Sequence, residues 1–186
     1  ACYTFASEPH SSPTDINTTI VSQVRQFLQS GGNFLAQCEG VEAYANSSNG
    51  SLLATYASKP NIAGTILYDN ADEFYAQFHG NLEDEGGSVE SFKFTTNPGL
   101  RVAYDSNDGA NYKAYFGRVS GTTTATGGYV HYLAGHDYNT VGLGFDNGYR
   151  LFLNAFLSPA TRQSSCNLSI CQNFTNPGAI GSDEQE

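Results

Sequence analysis

Cys38 is the residue whose type and setting could do chemistry. It follows a short apolar run, Asn33 to Gln37, and precedes Glu39-Gly40-Val41, where a helical pattern begins. A parallel strand that runs into a sharp turn and then a helix puts the turn residue at the carboxyl edge of an α/β sheet, where the sites of such sheets lie. The start of the helix offers unbonded backbone N–H groups and the positive end of a dipole. Both favour a thiolate and can hold an oxyanion. His136 comes just after a second strand pattern, Tyr129 to Leu133. If that strand runs parallel and close by, the imidazole reaches the same edge, and Cys with His is the minimal pair of a thiol hydrolase. Asp137, Glu39 or Glu42 could orient the imidazole. The plainer alternatives are a bridged or buried thiol at Cys38 and a histidine bonded to backbone at His136. His131, one strand face away, reads as a sheet-surface residue.

The elements that must position Cys38 can be read upstream. Cys2 to Ala6 has the texture of a short strand, and Pro9 and Pro13 break the loop behind it. Thr14 or Asp15 is placed to cap a helix whose apolar positions are Ile16, Ile20, Val21, Val24, Phe27 and Leu28. Gly31-Gly32 ends that helix. Strand, helix and strand within 38 residues make a βαβ unit, with parallel strands and a right-handed crossover. From about residue 60 to 135, short strand patterns alternate with Gly, Asn and Asp turns: Gly64 to Tyr68, Ser91 to Thr95, Arg101 to Tyr104, Tyr112 to Arg118 and Gly128 to Leu133. Asp105-Ser106-Asn107-Asp108-Gly109 reads as a hairpin turn, since it lacks the phasing and closing Glu of a calcium loop. A last helix, capped at Asp146 or Asn147, carries Tyr149, Phe152, Leu153 and Phe156 as its expected inner stripe, and Pro159 stops it. The expected fold class is therefore α/β, a mixed sheet with a parallel βαβ core plus antiparallel hairpins. The single domain runs over 1–160, and 161–186 is a polar, Cys-containing tail.

With 186 residues the chain can bury one sizeable core. It carries 8 Lys and Arg against 18 Asp and Glu, a formal charge of -10, which excludes the basic patch that nucleic acid or an anionic membrane surface requires. No apolar run approaches the ~20 residues that span a bilayer. No cysteine and histidine spacing suggests zinc, and no cofactor or metal is expected.

Five Asn-x-Ser/Thr triplets, at Asn17, Asn46, Asn49, Asn167 and Asn173, point to an extracellular or cell-surface glycoprotein. The four cysteines, Cys2, Cys38, Cys166 and Cys171, agree with an oxidising compartment and are all disulfide candidates. In the expected register Cys2 and Cys38 lie ~13 Å apart at ~3.3 Å per residue, too far for a bridge that needs Cα atoms within ~7 Å. Cys166 could pair with Cys171, or the tail could supply one partner to Cys2 and one to Cys38.

The run Gly-Gly-Asn-Phe-Leu-Ala-Gln-Cys-Glu-Gly, with Gly135-His136 after a late strand and Asn147-Gly-Tyr-Arg-Leu-Phe-Leu-Asn154 in the last helix, resembles the class I glutamine amidotransferase-like superfamily. It looks closest to the exported bacterial branch, whose role is poorly defined. The likeness covers roughly residues 1–160. It implies a flavodoxin-like sheet and, in active members, a Cys-His-Glu triad, so that Cys38 matches the nucleophile and His136 the base. The chain departs from the active pattern at three points. Ala36 replaces the first glycine of Gly-x-Cys-x-Gly, and Tyr138 stands where the acid usually sits. The family's first strand and its oxyanion glycines have no counterpart before Ala1. The expected function is therefore a non-catalytic structural, adhesive or assembly domain. Its partners would be copies of itself or other surface proteins, since Tyr-rich strands with exposed edges can pair between copies. The alternative is a secreted thiol hydrolase acting on an amide or ester.

Overall fold

Helix α1 shows why the chain enters the sheet where it does. The computed structural model describes residues 4–7, 16–70, 73–77, 89–119, 127–135 and 143–158. β1 (Thr4–Ser7) leads to α1 (Thr18–Gln29), which is capped by Asn17 rather than by the expected Thr14 or Asp15. The Asn17 Oδ1 accepts from the backbone N–H groups of Thr19 and Ile20 at 3.0 and 3.2 Å, which satisfies two of the four orphan donors of the first turn. Thr14 and Asp15 lie outside the described residues. α1 buries Val21, Val24 and Leu28 and ends at Ser30, followed by Gly31 at φ 98°. The chain then enters β2 (Asn33–Gln37), every residue of which is buried. Beyond it come α2 (Glu39–Ala45), a 3₁₀ turn (Ser47–Asn49), β3 (Thr55–Ser58), β4 (Ile66–Tyr68), β5 (Lys93–Thr96), β6 (Leu100–Asp105), β7 (Tyr112–Arg118), β8 (Tyr129–Leu133) and α3 (Leu143–Leu157).

The fold is α/β, with a mixed sheet in the order β1-β2-β8-β7-β6-β4. β1 runs parallel to β2, and β2 runs parallel to β8. The β8–β7, β7–β6 and β6–β4 pairs are antiparallel. β1, α1 and β2 are thus the expected βαβ unit, and residues 106–111 connect the β6–β7 hairpin. β3 and β5 form a separate antiparallel ribbon that the sequence reading did not place at its first strand.

Both faces of the sheet are covered. On one face Phe34, Ala36, Val130, Tyr132 and Tyr115 pack with α1, α2 and Phe94 of the ribbon. On the other, Leu35, Ala114, Phe116 and Leu133 pack with Leu151 and Ala155 of α3. Alternate residues of β2 therefore feed opposite cores, as the period of two requires when neither face meets water.

α3 corrects one expectation. It turns Leu151, Asn154 and Ala155 toward the protein, with Ser158 buried just past its end, whereas Tyr149, Leu153 and Phe156 are 45%, 47% and 39% exposed. Phe152 alone of the expected inner stripe packs against the core, and only partly. The sequence of this helix is apolar around most of its circumference, so periodicity does not select a face, and Ala155 is the residue small enough to let the backbone approach the sheet.

At the opposite end from Cys38, Asn33 fastens three elements. Its Nδ2 donates to the Ser158 carbonyl at 2.9 Å, and its Oδ1 accepts from the Tyr129 N–H at 3.0 Å. Beside it Gly128 lies against Gly32 so closely that a Cβ there would stand 1.5 Å from the Gly32 carbonyl oxygen.

Candidate functional site at the Cys38 turn

β2 delivers the chain to Cys38 in an unusual backbone state, φ 50° and ψ -125°. Apart from Asn70, no other non-glycine described residue has a positive φ. Such a conformation costs an L-residue about 1–3 kcal/mol and persists only where its surroundings over-determine it. Here both sides are held. The Cys38 N–H donates to the Leu133 carbonyl of β8 at 3.0 Å, and the Cys38 carbonyl accepts from Val41 of α2 at 3.1 Å. Two parallel partners, β1 and β8, fix β2 on either side. The result is a strand–turn–helix elbow with the cysteine at its apex, the backbone device that aims a nucleophile off the end of a sheet.

No disulfide joins Cys38 to another of the described residues. It is 2% exposed and joins the core on the α1–α2 face. The register, Thr4 opposite Asn33 and Ser7 opposite Ala36, leaves Cys38 just past the carboxyl end of the β1–β2 pair. Cys2, Cys166 and Cys171 lie outside the described residues.

The strand order brings β8 to the same edge. Leu133, whose carbonyl receives the Cys38 N–H, is followed by Ala134 and by Gly135 at φ 79°. His136 and Asp137 come next and lie outside the described residues. Next along the edge, the Ala134 N–H donates to the Lys113 carbonyl at 2.8 Å. Lys113 is fully buried, and it is the extra residue of a bulge where Ala103 pairs with Ala114 and Tyr104 with Tyr112. Its burial runs against the sequence pattern, because a lysine within a strand ordinarily marks a solvent-facing position. The available signal was its place among Tyr, Ala and Phe in a strand apolar on both sides.

Glu39 and Glu42 were candidates to orient the imidazole, but the fold commits both to Lys59. Its Nζ lies 2.8 Å from Glu39 Oε1 and 3.4 Å from Glu42 Oε2, tying the start of α2 to the residue just after β3. The hydrogen bond to Glu39 holds the Lys59 ammonium above its ordinary pKa. Burial, with the nearby charges of Glu42 and Glu39, pushes the Tyr56 hydroxyl far above its own.

His131 also departs from expectation: it is 6% exposed, on the α3 side, against the ring of Phe116 at 4.8 Å. Its Nε2 is buried with no hydrogen-bond partner among the described residues, and His131 lines a cavity of ≈ 10 Å³ with Leu35, Tyr75 and Leu151, a space for about one water. Burial lowers its pKa to about 3.

Three sequons fall within the described residues, and they gather on one ridge. Asn17 caps α1, Asn46 caps the 3₁₀ turn, and Asn49 reaches back to Ile16. Asn167 and Asn173 lie outside the described residues. The chain matches no protein-family model, and a search of curated proteins finds no similar sequence.

Proposed function

We propose that the protein is an extracellular domain whose Cys38 elbow serves as a thiol nucleophile toward an amide or ester. The observation that carries this reading is the strained backbone at Cys38, held from both sides at the carboxyl edge between two parallel strands. A bridged or purely packing cysteine has no need of such a conformation. The chemistry is acyl transfer. His136 takes the thiol proton as the sulfur attacks the carbonyl carbon, and backbone N–H groups after the turn receive the developing oxyanion. The tetrahedral species collapses as the leaving amine or alcohol takes that proton from the imidazole. Water, activated by the same histidine, then releases the acid and restores the thiol. Kinship with the amidotransferase-like superfamily and its flavodoxin-like sheet is part of this proposal. So is the secreted, glycosylated state that the sequons suggest.

A second reading is favoured by the 2% exposure of Cys38. In it the elbow is a packed relic, and the domain is a structural subunit that assembles with its own copies or with other surface proteins. Labelling the native, non-reduced protein with iodoacetamide near neutral pH separates the two. The nucleophile reading expects rapid alkylation at Cys38, abolished in Cys38→Ser, together with hydrolysis of small activated esters. A Cys38 that is alkylated only after denaturation leaves the structural subunit standing and removes the hydrolase.

A further inference from the structure

We infer that, of the three described sequons, Asn17 and Asn46 accept an N-linked sugar and Asn49 does not. The inference rests on the secreted, glycosylated reading above and sorts its sites. The reacting atom in each is Nδ2. At Asn17 the Oδ1 is the atom in use, accepting from the N–H of Thr19, the +2 residue of its own sequon, at 3.0 Å. At Asn46 the Oδ1 does the same with its own +2 residue, Ser48, at 2.9 Å. In both, the capping oxygen is the engaged atom, and among the described residues neither Nδ2 donates to a protein acceptor. Asn17 is exposed and Asn46 half-buried.

Asn49 is arranged the other way round. Its Nδ2 donates to the Ile16 carbonyl at 2.8 Å and lies 3.4 Å from the Ala43 carbonyl. The rest of its sequon is clamped as well: Arg25 donates from Nη2 to the Gly50 carbonyl and, at 2.6 Å, to the Ser51 carbonyl. The Ser51 N–H donates to the Asn46 carbonyl at 3.1 Å. A sugar on this nitrogen would remove one of its two N–H groups and drive a bulky polar group between α1 and the end of α2. A chain glycosylated there before folding would have to break the joint to accommodate it.

The bond formed is Nδ2–C1. An activated glycosyl diphosphate supplies C1, its diphosphate departs with the bonding electron pair, and the amide nitrogen loses one proton to solvent. Sugars at Asn17 and Asn46 would stand side by side, because Thr18 Oγ1 already reaches the Ser48 carbonyl. They would keep this ridge facing solvent, so any assembly surface lies elsewhere.

The test is site-resolved. The full chain is secreted from a eukaryotic host that performs N-glycosylation and then deglycosylated by an amidase in heavy-oxygen water, so that each occupied asparagine is converted to a mass-tagged aspartate. The expected map shows Asn17 and Asn46 tagged and Asn49 untagged. Tagging at Asn49, or sugar confined to Asn167 and Asn173, overturns the inference while leaving the glycoprotein reading intact. Sugar at none of the five sites overturns both. A second measurement reads the same geometry without sugar. Asn49→Asp should lower the melting temperature by about 3–5 °C, because it replaces the donor with an acceptor facing two carbonyls. Asn17→Asp and Asn46→Asp, which keep the capping oxygen, should stay within about 1 °C of the parent. Equal melting temperatures for all three also overturn it.

Discussion

Replacing Cys38 with glycine should leave the protein more stable than replacing it with alanine. Both substitutions remove the sulfur, so the comparison isolates the backbone. Alanine keeps the cost of φ 50° and ψ -125°, which for an L-residue outside the usual left-handed well we take as about 3 kcal/mol. Glycine is relieved of it. Against that, glycine loses about 0.7 kcal/mol through the greater freedom of its unfolded chain and about 0.8 kcal/mol through the methyl group no longer buried. The balance favours glycine by about 1.5 kcal/mol. At an ordinary buried position the last two contributions act alone, and alanine would lead by the same amount. The sign of the difference is therefore the result. In urea, with a slope of about 2 kcal/mol/M, the glycine variant should unfold at a midpoint about 0.7 M higher than the alanine variant, with unchanged slope. An alanine variant equal to or more stable than the glycine one would mean that residue 38 is not held in a strained state. The nucleophile reading would then lose the observation that carries it.

Asn33→Ala should cost about 2 kcal/mol, read as a urea midpoint, because it strands the part-buried Tyr129 N–H and the buried Ser158 carbonyl; no measurable loss would refute the fastening role of that amide. His131 makes the fold acid-sensitive. Its native pKa of about 3 lies below the ordinary value of 6.5, so below pH 6.5 the unfolded chain binds a proton that the native state refuses. Stability should fall by up to about 1.4 kcal/mol per pH unit from about pH 6 toward 3, and His131→Leu should flatten that slope. Asp105 acts in a lower window. Burial works to raise its pKa, but the N–H groups of Ala63, Asn107 and Gly64 outweigh that and hold the carboxyl below its usual range. Its contribution is present above about pH 4, the value in an unfolded chain, and is lost as the pH drops through the native pKa. Asp105→Asn should remove this lowest part of the acid transition in melts recorded between pH 2 and 5.

The parts of this fold that were legible in sequence are those where one signal acts alone. Asn33 to Gln37 is a short apolar run bounded by Gly31-Gly32 and a helical start, and it is a buried strand ending in a turn at Cys38. Tyr112 to Arg118 matches β7 at both ends. Errors came where two signals competed or where both faces were buried. Thr14, Asp15 and Asn17 are all good caps within four residues, and only the packing of α1 selects the last. His131 and Lys113 look like surface residues because alternation implies a wet face, yet the strands that carry them have none. The exposed face of α3 was unreadable for a related reason: a helix apolar nearly all round does not announce which side docks. Thr55 to Ser58 is too short and too mixed to signal a strand before its partner is known. The strain at Cys38 has no signature in the sequence, since it arises from the bond to Leu133.

That bond fixes when, as well as where, the elbow is made. Cys38 is translated before β8, and the carbonyl that locks it belongs to that strand, whose first residue, Tyr129, lies 96 residues after Asn33. Until β8 has been translated and has slid in beside β2, nothing holds position 38 in its costly conformation, and the sulfur sits on relaxed backbone in open view. Over that interval the nascent chain carries an uncovered thiol, and any oxidant or roaming disulfide meets it first in that state. A protein built this way has to close its last parallel pairing before something else claims the cysteine.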